Sequence, residues 1–127
     1  MFEVTVERTF AAGHALREYH GKCENVHGHN YRVEVTVEGN EVDSTGLLVD
    51  FADLKTQLDR VIVYLDHRFI NDLAPFDEIN PSAENIARYF FEEIERGLTA
   101  GGTCPASKLA RVKVWETDTS SAVYRVR

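Results

Sequence analysis

The residues best suited to chemistry crowd into CENVHGHN, Cys23 to Asn30, a stretch with one of the chain's two cysteines and two of its five histidines. On an extended strand, side chains alternate between faces, so His27 and His29 point the same way and can converge on one ion. Gly28 between them removes bulk and permits close approach. Zinc in a catalytic site commonly takes three protein ligands and keeps a position open, and His14 in FAAGHAL is the natural third if its strand lies beside the pair. A single histidine is more often a hydrogen-bonded, partly buried residue; two at strand spacing point to a metal site. Cys23 has two readings. As a ligand it would close the site into a structural one, and as a free thiol it would be a base or nucleophile whose pKa its neighbours lower. Asp66-His67 in YLDHRF offers a carboxylate to orient a proton-transferring imidazole, although neighbouring side chains rarely bond each other and a solvated helix end is the alternative. Glu116 in VWETD shares strand parity with Val112 and Val114, which aims its carboxylate along the apolar face. A carboxylate there needs donors or a cation, and one fitting partner is the guanidine-like edge of an amino-pyrimidine. A strand-end Glu turned to solvent is the plainer reading. His20 and Cys104 fall in expected loops and take no role.

These groups need a scaffold, and the hydrophobic periods supply one. Phe2, Val4 and Val6 alternate with polar residues, as do Tyr31, Val33, Val35 and Val37 before Gly39-Asn40, so two strands are predicted to pair antiparallel. From Asp50 the period becomes helical, with Phe51, Leu54, Leu58, Val61, Ile62 and Leu65 on one stripe and acidic residues at the positive end of the helix dipole. A second helix is predicted from NPSAEN, capped by Asn80 or Ser82 with Pro81 in its first turn, through Ile86, Phe90 and Ile94 towards Gly97. A loop, LTAGGTCPAS, leads to a strand with Val112 and Val114 inward and a last strand around Ala122 to Val126. The order ββααββ in one domain, residues 1–127, is an α+β pattern with two helices on one face of an antiparallel sheet.

Composition narrows the function classes. With 43% hydrophobic and 28% charged residues, the 127-residue chain has enough apolar content for a core without disulfide staples. A net charge of −7 argues against a nucleic-acid surface, which needs clustered Lys and Arg. No apolar run reaches the roughly 20 residues of a membrane span. The first residues lack a basic stretch followed by an apolar one, so a reducing, cytoplasmic location is expected. An anionic ligand would have to be met by a local pocket rather than by the overall field.

FAAGHAL, CENVHGHNY, LDHRFIND, NPSAENIA and VWETDTSSAVYR, in this order and at these intervals, resemble the 6-pyruvoyl-tetrahydropterin synthase family from first strand to last. Within it the chain looks most like the 6-carboxytetrahydropterin synthases of queuosine biosynthesis, because three residues separate Cys23 from His27, where animal-type pyruvoyl enzymes generally carry an insertion. The resemblance implies a tunnelling fold whose sheets join in a barrel, as a trimer or dimer of trimers with active sites at subunit interfaces. It implies zinc on His14, His27 and His29, Cys23 as the proton-abstracting thiolate, and Asp66 with His67 as an acid-base pair from an adjacent subunit. Glu116 would anchor the pterin ring, with Glu84 and Ser82 as a second pterin contact. The implied substrate is 7,8-dihydroneopterin triphosphate. Ala83 departs from the family pattern where relatives often place a hydroxyl. Lys22, Arg17 and Arg32 are the basic residues nearest in sequence for the triphosphate. The rival reading is a non-catalytic zinc or pterin-binding module on the same fold, which would have no use for Cys23, Asp66 and His67 together.

Overall fold

Alternating side chains build two long strands, β1 (Phe2–His14) and β2 (His27–Gly39), paired antiparallel from Phe2 opposite Gly39 to His14 opposite His27. The computed structural model describes residues 1–17, 25–100 and 107–126; His20, Lys22, Cys23 and Cys104 lie outside the described residues. β3 (Ser107–Thr117) pairs with β2 and β4 (Ser120–Tyr124) with β3, which gives a four-stranded antiparallel sheet in the order β1-β2-β3-β4. Two helices, α1 (Phe51–Leu65) and α2 (Ala83–Ala100), complete the expected ββααββ order, with a short 3-10 turn at Ile70–Asp72 between them.

The helices begin where side chains satisfy their first N–H groups. The Asp50 carboxylate accepts from the Ala52 N–H at 2.8 Å, and Ser82 Oγ from the Asn85 N–H at 3.1 Å. Ser82 is therefore the cap of α2, and Pro81 precedes the helix instead of sitting in its first turn. Asn80 cannot cap, because its amide is bonded to the Arg17 backbone. Gly97 does not stop α2, which continues to Ala100. A Cβ at Gly97 would run into the Gln57 side chain of α1, so this glycine marks a close helix–helix approach. Phe51, expected on the buried stripe of α1, is 56% exposed, while Leu54, Leu58, Val61, Ile62 and Leu65 are buried.

The core lies between the helices and one face of the sheet. Phe10 stacks on Tyr31 at 5.0 Å between ring centroids and meets Phe90 of α2 at 5.8 Å. A register shift at Thr36/Val37 pairs Val37 with Leu109 and Thr36 with Arg111, leaving Ala110 as an extra residue. That bulge lets Leu109 and Val112, of opposite parity, both be buried. The helix-free face is polar: Arg111 pairs with Glu3 at 2.8 Å and Lys108 with Glu38 at 3.4 Å.

Candidate active site

His14 ends β1 as a buried residue, only 4% exposed. Its Nδ1 lies 2.8 Å from the Pro81 carbonyl oxygen. A carbonyl only accepts, so Nδ1 carries the proton and donates, and Nε2 is left with its lone pair. That lone pair faces the Glu116 carboxylate at 3.1 Å. Two acceptors facing each other require a proton or a cation between them. Glu116 shares the inward parity of Val112 and Val114, and the β3–β4 register shifts at this residue, between Trp115 and Thr117. His29 Nε2 is 3.8 Å from the same carboxylate, and its ring stands edge-on to His14 at 4.9 Å. One ligand atom each from His14, His29 and Glu116 lies within 4.8 Å of the others, a group that could hold a metal ion. Two imidazoles, one of them oriented by a carbonyl, and a carboxylate are a donor set that suits zinc. His27 sits on the same face at the exposed strand end, directly opposite His14 in register and 6.2 Å from His29 between ring centroids.

Beneath this group Tyr31 is fully buried, with its ring edge-on to His29 at 5.6 Å and to His14 at 6.0 Å. Burial pushes its phenol up, and the Glu116 charge adds to the shift, so it stays neutral. Its hydroxyl has no hydrogen-bond partner among the described residues.

Asp66 and His67 follow α1 and lie along the outer edge of β1. The His67 N–H donates to the Ala11 carbonyl at 2.6 Å, and the Gly13 N–H donates to the Arg68 carbonyl at 3.0 Å. The Ala11 N–H donates to Asp66 Oδ1 at 3.0 Å. His67 has φ 59°, and this left-handed turn lets its Nδ1 approach the adjacent Asp66 Oδ1 to 3.0 Å, so the two neighbours bond directly. The Ala11 N–H, chiefly, and then the His67 side chain hold the Asp66 carboxyl below the usual carboxylate range. The imidazole itself is exposed and borders an open groove of about 610 Å³ lined also by Gly13, Gly28, His29 and Arg68.

Ser82 is next to Pro81, whose carbonyl holds His14, whereas Glu84 is exposed in the first turn of α2. Two of the basic residues nearest in sequence have structural partners. The Arg17 guanidinium donates to the carbonyls of Asn71, Phe76 and Ile79, and Arg32 lies over the Trp115 ring at 4.6 Å and pairs with Glu7 at 3.6 Å. Arg68, not singled out from sequence, is instead on the groove. A strand-edge location was its only possible signal, and the edge forms through backbone bonds that sequence does not display.

An antiparallel sheet with two helices on one face, a His–His–carboxylate group at one end and an Asp–His pair in the turn along the edge of β1 define an α+β enzyme with a metal-type centre. The chain belongs to the 6-pyruvoyl tetrahydropterin synthase family, whose model matches residues 3–127. It is 35% identical to the 6-pyruvoyl tetrahydrobiopterin synthase of Poecilia reticulata, over 96% of this chain and 88% of that one. It is 34% identical to the 6-carboxy-5,6,7,8-tetrahydropterin synthase of Synechocystis sp., over 98% and 93%, and 35% identical to that of Bacillus subtilis, over 98% and 85%. The structure of Caenorhabditis elegans 6-pyruvoyl tetrahydropterin synthase superimposes with a TM-score of 0.80 at 31% identity, covering 100% of this chain and 98% of that one. The protein is thus a lyase-type enzyme of the tetrahydropterin synthase kind with the T-fold of that family. Among the described residues no helix is long and apolar enough to cross a membrane.

Proposed function

We propose that the protein converts 7,8-dihydroneopterin triphosphate and water to 6-carboxy-5,6,7,8-tetrahydropterin with release of acetaldehyde and triphosphate, a cytoplasmic, zinc-dependent step of queuosine biosynthesis. The observation that carries this reading is the group of His14, His29 and Glu116, whose ligand atoms lie within 4.8 Å of one another at the strand end that also bears His27. His14, His27 and His29 would hold zinc. Bound there, zinc supplies a Lewis acid that lowers the cost of removing protons beside the hydroxyls of the substrate side chain.

The chain's own residues do the rest. Cys23, which precedes the histidine pair, is the thiolate base on one side of the side chain. His67, held by Asp66, transfers protons on the other. Glu116, whose carboxylate faces His14 and His29 in the metal-free chain, accepts from the amino-pyrimidine edge of the pterin once His14, His27 and His29 hold the zinc, and so orients the ring beside the metal. Ser82 and Glu84 form a second pterin contact, and Arg68 is a groove cation for the phosphate end. The sites lie at interfaces of a trimer or a dimer of trimers, where a neighbouring chain closes the open groove.

The pyruvoyl-forming reaction is the alternative, because relatives bearing that name match at similar identity. The short interval between Cys23 and His27 favours the carboxy product. Incubating zinc-loaded protein with 7,8-dihydroneopterin triphosphate and identifying both products by mass spectrometry decides between them. Carboxytetrahydropterin with acetaldehyde is expected. A pyruvoyl pterin would move the protein to the other branch with the same residue roles, and no turnover with zinc bound would refute both.

A further inference from the structure

Beyond β1 the chain loses its strand partner, since the register with β2 ends at His14 opposite His27. The next residues are nevertheless held closely. A side-chain amide offers the donor and acceptor of a peptide group, so one Asn can pair with both backbone groups of a single residue. Asn71 does this to Ala15: its Oδ1 accepts from the Ala15 N–H at 2.9 Å and its Nδ2 donates to the Ala15 carbonyl at 2.7 Å. Asn80 does the same to Arg17, at 2.7 Å and 2.9 Å. Between them the Pro81 carbonyl takes the His14 Nδ1 proton. The Asn80 carbonyl in turn accepts from Asn85 Nδ2 at 2.9 Å, which ties this clamp to the first turn of α2.

We infer that Asn71 and Asn80 are positioning residues for the metal-type group, acting as a surrogate strand that fixes Ala15–Arg17 and, through it, the His14 ring. The inference rests on the proposed function, in which His14 is a ligand. Residues one and three places beyond His14 are the ones clamped, and Asn80 is covalently joined to the Pro81 that orients the imidazole. Asn71 is 8% exposed and Ala15 half-buried, so losing the amide would remove both of these bonds from a partly shielded stretch of backbone.

Two variants test this, Asn80→Ala, which removes both bonds to Arg17, and Asn71→Asp, which keeps the acceptor and its shape but replaces the donor by an oxygen. Each is titrated from the metal-free state with Co2+, following the visible d–d absorption. Outer partners of ligating histidines commonly contribute about 10–100-fold in metal affinity, so a loss of that order with an altered spectrum is expected in protein whose far-UV circular dichroism is unchanged. The second readout needs no metal. Long-range 1H–15N correlation of the His14 imidazole in metal-free protein should show a proton held on Nδ1 in the parent and an averaged or shifted Nδ1 signal in both variants. Folded variants with parental Co2+ affinity, parental spectrum and parental His14 resonances would overturn the inference. If the parent itself takes up no Co2+, the proposed function fails, and the His14 resonances still decide whether the amides position the ring.

Discussion

His67 occupies the left-handed region, uncommon for non-glycine residues although Asn, Asp and His are enriched there, and in that turn its Nδ1 lies 3.0 Å from the Asp66 carboxylate. Asparagine tolerates that backbone but cannot shuttle a proton as imidazole does. His67→Asn is therefore expected to keep the melting temperature and the binding of a pterin product while kcat falls about 10²–10⁴-fold. Binding that collapses with rate would make His67 a recognition residue instead. The same turn explains what sequence could and could not reveal here. Asp66-His67 stood out as a carboxylate–imidazole pair, but their bond depends on a positive φ that no periodicity encodes. His14 was recognisable from its place at the end of an alternating strand, whereas its orienting partner is a backbone carbonyl, and any residue type at position 81 carries one. Glu116 followed from parity, while its distances to His14 and His29 depend on how β1, β2 and β3 are brought together in the sheet.

The segment after α1 behaves as an added edge to β1, held by two backbone bonds and by the Asp66 carboxylate on the Ala11 N–H. Because the folded carboxyl is held below its ordinary value, this tie is fully present above about pH 3.9 and is lost as pH falls through the lower, folded-state value. Amide exchange should therefore show Ala11 protected through mildly acidic conditions, with protection lost only in stronger acid. Loss of protection already near pH 5–6 would mean that the carboxylate does not govern this edge. Helix and strand existence was legible because burial enforces the 3.6 and 2.0 periods on Leu54 to Leu65 and on Tyr31 to Val37. Boundaries were less so. Gly97 reads as a stop only until α1 is seen beside it, and Asn80 reads as a cap only until Arg17 is seen to occupy it.

Across the molecule, β1 and β4 are the two sheet edges; the segment after α1 covers β1 around Ala11 and Gly13, and among the described residues no strand covers the rest of β1 or the outer side of β4. Exposed edges invite pairing with another chain, and because the two edges belong to different strands, joining them is head-to-tail and closes into a ring when the rotation permits. Light scattering on eluting protein is expected to give three or six times the chain mass; a stable monomer at micromolar concentration would remove the interface from the proposed site. The helix-free face of the sheet would line such a ring, and it holds the chain's single tryptophan. Trp115 is sandwiched by Arg32 at 4.6 Å and Lys113 at 4.3 Å, and its indole N–H donates to Glu34. The only intrinsic indole fluorophore is thus set among charges and not in the core. Its emission reports the integrity of the charged sheet face, so a melt followed by fluorescence and one followed by far-UV dichroism watch different layers of the protein, and their coincidence or separation shows whether sheet and helices come apart together.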